Sequence, residues 1–185
     1  RNIDSVELSK NILKDIESAD VVIFVGGLDA TWEGEESNKM RAHNGVDGFF
    51  GGDRTKIELP EVQQNALIEI SKTGKPIIFV LLAGSAISFN GLEDKLDGIL
   101  AAWYPGQRGG DAVADVLFGK YNPAGRLPIT FYSSTNELGD FEDYNMRAGK
   151  GLTYRYYNGE ALFPFGHGMS YTKFHYSGLT INSAT

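Results

Sequence analysis

Apolar and polar positions along the 185 residues alternate between short continuous apolar runs and longer amphipathic stretches. Val21-Val22-Ile23-Phe24-Val25 is unbroken, as is the run from Pro76 through Ile77, Ile78, Phe79, Val80 and Leu81 to Leu82. Runs of this length, bounded by Gly or Pro, predict buried parallel strands. Ahead of the first, Asp4 or Ser5 is placed to cap a helix carrying Val6, Ile12, Leu13 and Ile16 on one stripe and breaking near Ala19-Asp20. Ahead of the second, Pro60 opens a predicted helix that runs to about Thr73, with Val62, Leu67 and Ile70 facing inward and Gly74 closing it. Residues 92–96 read as a short helical or irregular piece and residues 98–103 as a third strand. Residues 109–118 read as a helix with Ala112, Val113, Val116 and Leu117 on one side, ended by Gly119. Strands alternating with helices of this length predict βαβ units: an α/β fold, a three-layer α/β/α sandwich with a mostly parallel sheet and helices on both faces.

The texture changes from Tyr121. Asn122-Pro123-Ala124-Gly125 predicts a turn and residues 126–132 a strand, after which the chain is aromatic, Gly-rich and irregular. Tyr154, Tyr156, Tyr157, Phe163, Phe165, Tyr171, Phe174 and Tyr176 are expected to form an arm that packs on the sheet and leads out of the domain. Residues 37–52 show neither a helical nor a strand period. A loop that long inside a compact domain is usually functional or disordered, so it is expected to cover or line a site.

Composition narrows the class. The length fits one domain with a single sizeable core, and 42% hydrophobic with 22% charged residues is ordinary for a globular chain. A net charge of −7 without a Lys/Arg-rich run argues against nucleic acid as a partner. No apolar stretch approaches the length of a membrane span, so no membrane contact is expected. The absence of cysteine excludes disulfides and thiolate chemistry while leaving the compartment open. The chain opens on Arg1 without a leader and reads as a piece of something longer.

Candidate chemistry concentrates just after the first apolar run. Asp29, Glu33, Glu35 and Glu36 surround Trp32 in a stretch that leaves a predicted parallel strand through Gly26-Gly27, and ligands sit outside the carboxyl ends of such strands. If extended, the stretch puts Glu33 and Glu35 on one face, about 7 Å apart by strand rise. A carboxyl beside Trp32 can be desolvated and stay protonated near neutral pH, as a general acid requires; the competing reading is a solvated acidic loop. Glycosidase carboxyls must flank the scissile bond from opposite sides of the sugar, so one short segment supplies one of the two and another part of the molecule its partner. Other chemistries lack support. No G-x-G-x-x-G follows the strand, and no G-x-S-x-G elbow is present. His43, His167 and His175 lie too far apart for a short-spaced zinc motif, so neither metal nor cofactor is expected.

Six blocks carry a resemblance. Gly27-Leu28-Asp29-x-Thr31-x-Glu33-x-Glu35 is followed by Gly52-Asp53-Arg54 and then by Ile57-x-Leu59-Pro60-x-x-Gln63-x-x-Leu67-Ile68. Trp103-Tyr104-Pro105-Gly106-Gln107-x-Gly109-Gly110-x-Ala112, Asn122-Pro123-x-Gly125-Arg126-Leu127-Pro128 and Phe163-Pro164-Phe165-Gly166-x-Gly168-x-Ser170-Tyr171-Thr172 complete the set. Together, in order and over nearly the whole chain, they resemble the C-terminal α/β sandwich domain of family 3 glycoside hydrolases, in the form found in the β-xylosidase and β-glucosidase branch. The resemblance implies a retaining mechanism, with an aspartate nucleophile in an N-terminal (β/α)8 barrel and the general acid/base in this acidic loop. By motif position the acid/base is Glu35. Glu33 is the second candidate, because Glu36 stands where a glycine often follows and a long insertion precedes Gly-Asp-Arg.

In this reading residues 1–175 are the sandwich domain and residues 176–185 the start of a linker or fibronectin-like domain. Asp53 and Arg54 either tether the base of the loop or touch substrate. Trp32 and Trp103 either stack on a sugar or belong to the core, and the Trp-Tyr-Pro-Gly-Gln and Pro-Phe-Gly blocks are read as turns that fix the fold. The implied partners are an oligosaccharide or β-glycoside substrate and the barrel of the same full-length chain, in a periplasmic or secreted setting. A silent accessory or carbohydrate-binding domain of the same fold is the alternative, and the acidic loop discriminates: such a domain has no use for Glu33 and Glu35 beside a tryptophan.

Overall fold

The structure, a computed structural model, describes residues 10–30, 48–50 and 53–181. In chain order these form α1 (Lys10–Ser18), β1 (Val22–Gly27), β2 (Phe49–Phe50), β3 (Asp53–Arg54), α2 (Glu61–Ser71), β4 (Ile77–Leu82), β5 (Gly98–Ala101), α3 (Gly109–Leu117), β6 (Phe131–Tyr132), α4 (Thr153–Tyr156) and β7 (Ala161–Phe163). β1, β4 and β5 make a three-stranded parallel sheet with β4 in the centre. Of two two-stranded antiparallel pairs, β2–β3 falls between β1 and β4 in the chain and β6–β7 follows β5.

The core explains why these residues take these shapes. Side chains alternate across a strand, so Val22 and Phe24 of β1 share a face with Ile77, Phe79 and Leu81 of β4. Phe79 is fully buried, stacked on Phe24 at 5.4 Å and edge-on to Phe89 at 5.4 Å. Ile16 of α1, with Leu67 and Ile70 of α2, packs into this cluster, as do Leu59, Ile87, Leu92 and Phe131. Leu67 and Ile70 are the inward positions that the helical period marks. α2 starts as Pro60 dictates: the proline carbonyl accepts from the amides of Gln63 and Gln64, and the missing proline N–H costs nothing at that end.

Several expectations change. β1 is an edge strand among the described residues, paired only with β4, and its faces differ: Val22 and Phe24 pack on the core, whereas Val21, Ile23 and Val25, on the opposite face, are exposed rather than buried. Val62 is exposed, because the first turn of α2 lies outside the packed stripe. Residues 126–132 were expected as a strand, but only Phe131 and Tyr132 join one. Leu127 instead is clasped by the Pro-Phe-Gly block: its amide donates to the His167 carbonyl and its carbonyl accepts from the Gly166 amide. The same block binds Asn122, whose Oδ1 accepts from the Tyr171 amide and whose Nδ2 donates to Thr172 Oγ1. Ser170 Oγ donates to the Pro123 carbonyl. The last two sequence blocks are therefore one clamp made of polar groups. Of the aromatic arm, Phe163 packs on the core, whereas Tyr154, Phe165, Tyr171, Phe174 and Tyr176 are exposed. Phe49 and Phe50, placed in a loop of no regular period, form β2 against Asp53 and Arg54.

Candidate active site at the carboxyl end of the sheet

Because β1, β4 and β5 are parallel, their carboxyl ends, Gly27, Leu82 and Ala101, open on one edge, the position where α/β folds place ligands. Leu28 follows β1 as a buried residue whose amide donates to the Leu82 carbonyl, and Asp29 beyond it is exposed. The stretch carrying Trp32, Glu33 and Glu35 begins two residues later; those three residues lie outside the described residues.

The end of β1 and the nearby β4 exit are each held by a polar side chain. Gly27 N–H donates to Gln63 Oε1 at 2.8 Å, and Gln63 Nε2 donates to the Gly27 carbonyl at 2.7 Å. Arg54 Nη1 donates to Ser85 Oγ at 2.7 Å and to the Ala86 carbonyl at 3.2 Å, tying β3 to the loop that leaves β4. Arg54 thus joins β3 to neutral oxygens of the β4 exit, and Asp53 stands beside it in β3. Trp103 lies two residues past β5 rather than within it, with φ of 55°, half-buried and edge-on to Phe131 at 6.3 Å. A bulky residue in the left-handed region is a strained conformation that its surroundings must hold in place.

A second polar cluster fixes the segment joining Arg54 to α2. Ser88, fully buried, donates its amide to the Ile57 carbonyl, accepts from the Leu59 amide, and gives its hydroxyl to the Ser133 carbonyl. Thr135 donates its amide (2.7 Å) and hydroxyl (2.6 Å) to the Glu58 carboxylate, while its Oγ1 accepts from the Ile57 amide at 2.9 Å. Burial raises the Glu58 carboxyl, but the two Thr135 bonds, with the charge of Lys56, outweigh it and hold the group below the ordinary glutamate value. In the window between the two values the unfolded chain binds the extra proton. This contribution is therefore complete above the ordinary glutamate value and is lost as pH falls through the folded one. Thr135→Val is expected to cost about 1 kcal/mol at neutral pH and to flatten the acid limb of the stability–pH curve, read by urea unfolding at several pH values.

Glu58 is accordingly ionised at neutral pH and unsuited to donate a proton. So is Glu137, held low by Lys150 and then by the Tyr157 hydroxyl at 2.8 Å; Tyr157 in turn is pushed up to about 12, by burial and by Glu137. His167 stacks on Phe163 at 5.0 Å, a packing role. Among the described residues no three His, Asp or Glu side chains gather as metal ligands, and no helix is long and apolar enough to cross a membrane. Sequence reasoning missed two contributors, Gln63 and Ser85. Gln63 stood in a quoted block, but nothing local assigns it a role, since its partner is 36 residues away.

Residues 3–171 match the glycosyl hydrolase family 3 C-terminal domain. The chain is 47% identical over 184 residues to a xylan 1,4-β-xylosidase of Xylanibacter ruminicola, matching 100% of this chain and 20% of that protein. It is 37% identical to a periplasmic β-glucosidase of Salmonella typhimurium, over 91% of this chain and 21% of that one. Its fold matches the solved structure of a family 3 exo-β-xylosidase, XlnD, in complex with a xylobiose aziridine activity-based probe, with a TM-score of 0.74 at 33% identity, over 88% of this chain and 20% of the other. The chain thus spans about a fifth of the length of these relatives.

Proposed function

This chain belongs to the glycosyl hydrolase family 3 C-terminal domain family, and from that premise we propose that it is the acid/base-bearing domain of a retaining β-glycosidase, a β-xylosidase or β-glucosidase acting on terminal non-reducing β-D-sugars. One observation carries the reading. The carboxylate-rich stretch beside Trp32 leaves the sheet at the shared carboxyl edge, through a Gly27 exit held by Gln63 and beside an Arg54 tether to the β4 loop. Glu35 is the proposed general acid/base and Glu33 the alternative. The nucleophile belongs to a barrel elsewhere in the longer chain. Asp53 and Arg54 support the loop, and Trp32 and Trp103 edge the sugar site, Trp103 through the part of its ring not packed on Phe131. Residues 176–185 lead toward a following domain, and a periplasmic or secreted location accords with the Salmonella relative's name.

A retaining hydrolysis needs two carboxyls on opposite sides of the sugar, and this chain offers only one. The isolated chain is therefore expected to turn over neither aryl β-glucosides nor aryl β-xylosides. Product release above a buffer blank that persists through purification overturns that division of labour.

A further inference from the structure

The exit of β1 is built around one side chain, and we propose that Gln63 is a positioning residue for catalysis, setting where the acidic stretch leaves the sheet. The inference rests on the proposed function, in that the acid/base follows Gly27 in the chain. Val22 and Leu28 donate their amides to Pro76 and Leu82 on the β4 side. Successive residues of a strand direct their peptide groups to opposite sides, so Gly27 points both its N–H and its C=O away from β4. The Gln63 carboxamide takes both, at 2.8 and 2.7 Å, in the complementary donor–acceptor arrangement that only an amide provides at neutral pH.

The two glycines make this approach possible. A Cβ on Gly26 would stand 2.6 Å from Gln63 Oε1, and one on Gly27 would stand 1.9 Å from the Leu82 carbonyl oxygen. Any other residue at either position displaces the strand end or the amide. Gln63 also sits in the first turn of α2, so the pair ties the end of β1 directly to the start of that helix. Glu33 and Glu35 follow Gly27 by six and eight positions in the chain, downstream of the exit that this pair holds.

Gln63 touches no reacting atom in this scheme, so its effect must appear through the proton donor. Gln63→Met keeps the length and volume and removes both hydrogen bonds. In the full-length enzyme that carries this domain, kcat/KM is measured for a disaccharide and for aryl glycosides of graded leaving-group acidity. A displacement of the acid by about 1 Å is expected to lower the rate on poor leaving groups about 10²-fold while activated aryl glycosides stay within a few-fold. Gln63→Glu supplies the second arm, since a protonated carboxyl both donates and accepts whereas an ionised one only accepts. In Gln63→Glu the ratio of disaccharide to activated-substrate rates is expected to recover toward wild type as pH falls, and in Gln63→Met to stay flat.

A uniform loss on all substrates, no loss, or a pH-independent ratio in Gln63→Glu overturns the inference, and the last holds even if Gln63→Met does not fold. Failure of the parent reading has its own signature: Glu35→Ala and Glu33→Ala then both leave the leaving-group dependence at its wild-type value, and the inference falls with it.

Discussion

Replacing Glu35 by alanine in the full-length enzyme should slow hydrolysis of a disaccharide by about 10²–10⁴-fold, the usual contribution of a general acid–base, and spare formation of the glycosyl-enzyme from an activated aryl glycoside. The asymmetry follows from what the proton does. A sugar alkoxide leaves only when protonated, whereas a nitrophenolate leaves unaided. In the second step the same carboxylate activates water, so deglycosylation slows with every substrate and the activated glycoside shows a burst followed by slow turnover. Azide needs no base and should restore turnover of the activated substrate, releasing the β-glycosyl azide. Glu33→Ala is the control, expected to lose activity without leaving-group dependence or rescue. Rescue in Glu33→Ala alone moves the acid/base by two residues, and rescue in neither favours the accessory-domain reading.

The elements that could be read from residue order are those whose cause is local. The continuous apolar run of β4 is buried because Ile77, Phe79 and Leu81 of this central strand pack into the core cluster, and the Leu67 and Ile70 period of α2 survives because that stripe joins the same cluster. β1 looked the same in sequence and is not the same in structure. An apolar run does not say whether both of its faces are covered, so the exposure of Ile23 and Val25, opposite Val22 and Phe24, had no mark in the sequence. Residues 126–132 misled for a related reason. They carry strand-like side chains, but Leu127 finds its hydrogen bonds in the turn at Gly166 and His167, about 40 residues on, which no local period announces.

The site divides along the same line. Carboxylates beside a tryptophan after a Gly-Gly strand end are a local statement about chemistry, so the acidic stretch stood out at once as a candidate. The supports are non-local. Gln63 meets Gly27 across 36 residues, Arg54 meets Ser85 across 31, and Glu58 meets Thr135 across 77. Each is an ordinary residue type whose role appears only when the fold brings its partner near. Trp103 is intermediate. Its block marked a turn, whereas the left-handed φ and the edge-on contact with Phe131, 28 residues on, belong to the tertiary fold.

Gly27→Ala should be the most destabilising single methyl group that can be added at this edge. At φ of 120° an L-residue is strained by about 1–3 kcal/mol before any contact is considered. The new Cβ then meets the Leu82 carbonyl oxygen at 1.9 Å and the Leu82 amide nitrogen at 3.0 Å. These are backbone atoms of the central strand, held by their own ladder, so no side-chain rotation relieves the clash. β1 must instead back away at its carboxyl end, which breaks the Leu28 amide bond to Leu82 and both bonds from Gln63. A loss of roughly 3 kcal/mol or more is expected, which lowers Tm by about 6–12 °C in a chain of this length. Gly110→Ala is the matched control. It lies exposed in α3 with open space where a Cβ would go, so the added methyl should stabilise the helix by about 0.4–1 kcal/mol. Thermal unfolding of the two variants beside the parent chain decides the matter. A Gly27→Ala Tm within a degree or two of the parent would mean that the β1 exit yields easily, and a root that yields easily has no means of aiming a proton donor.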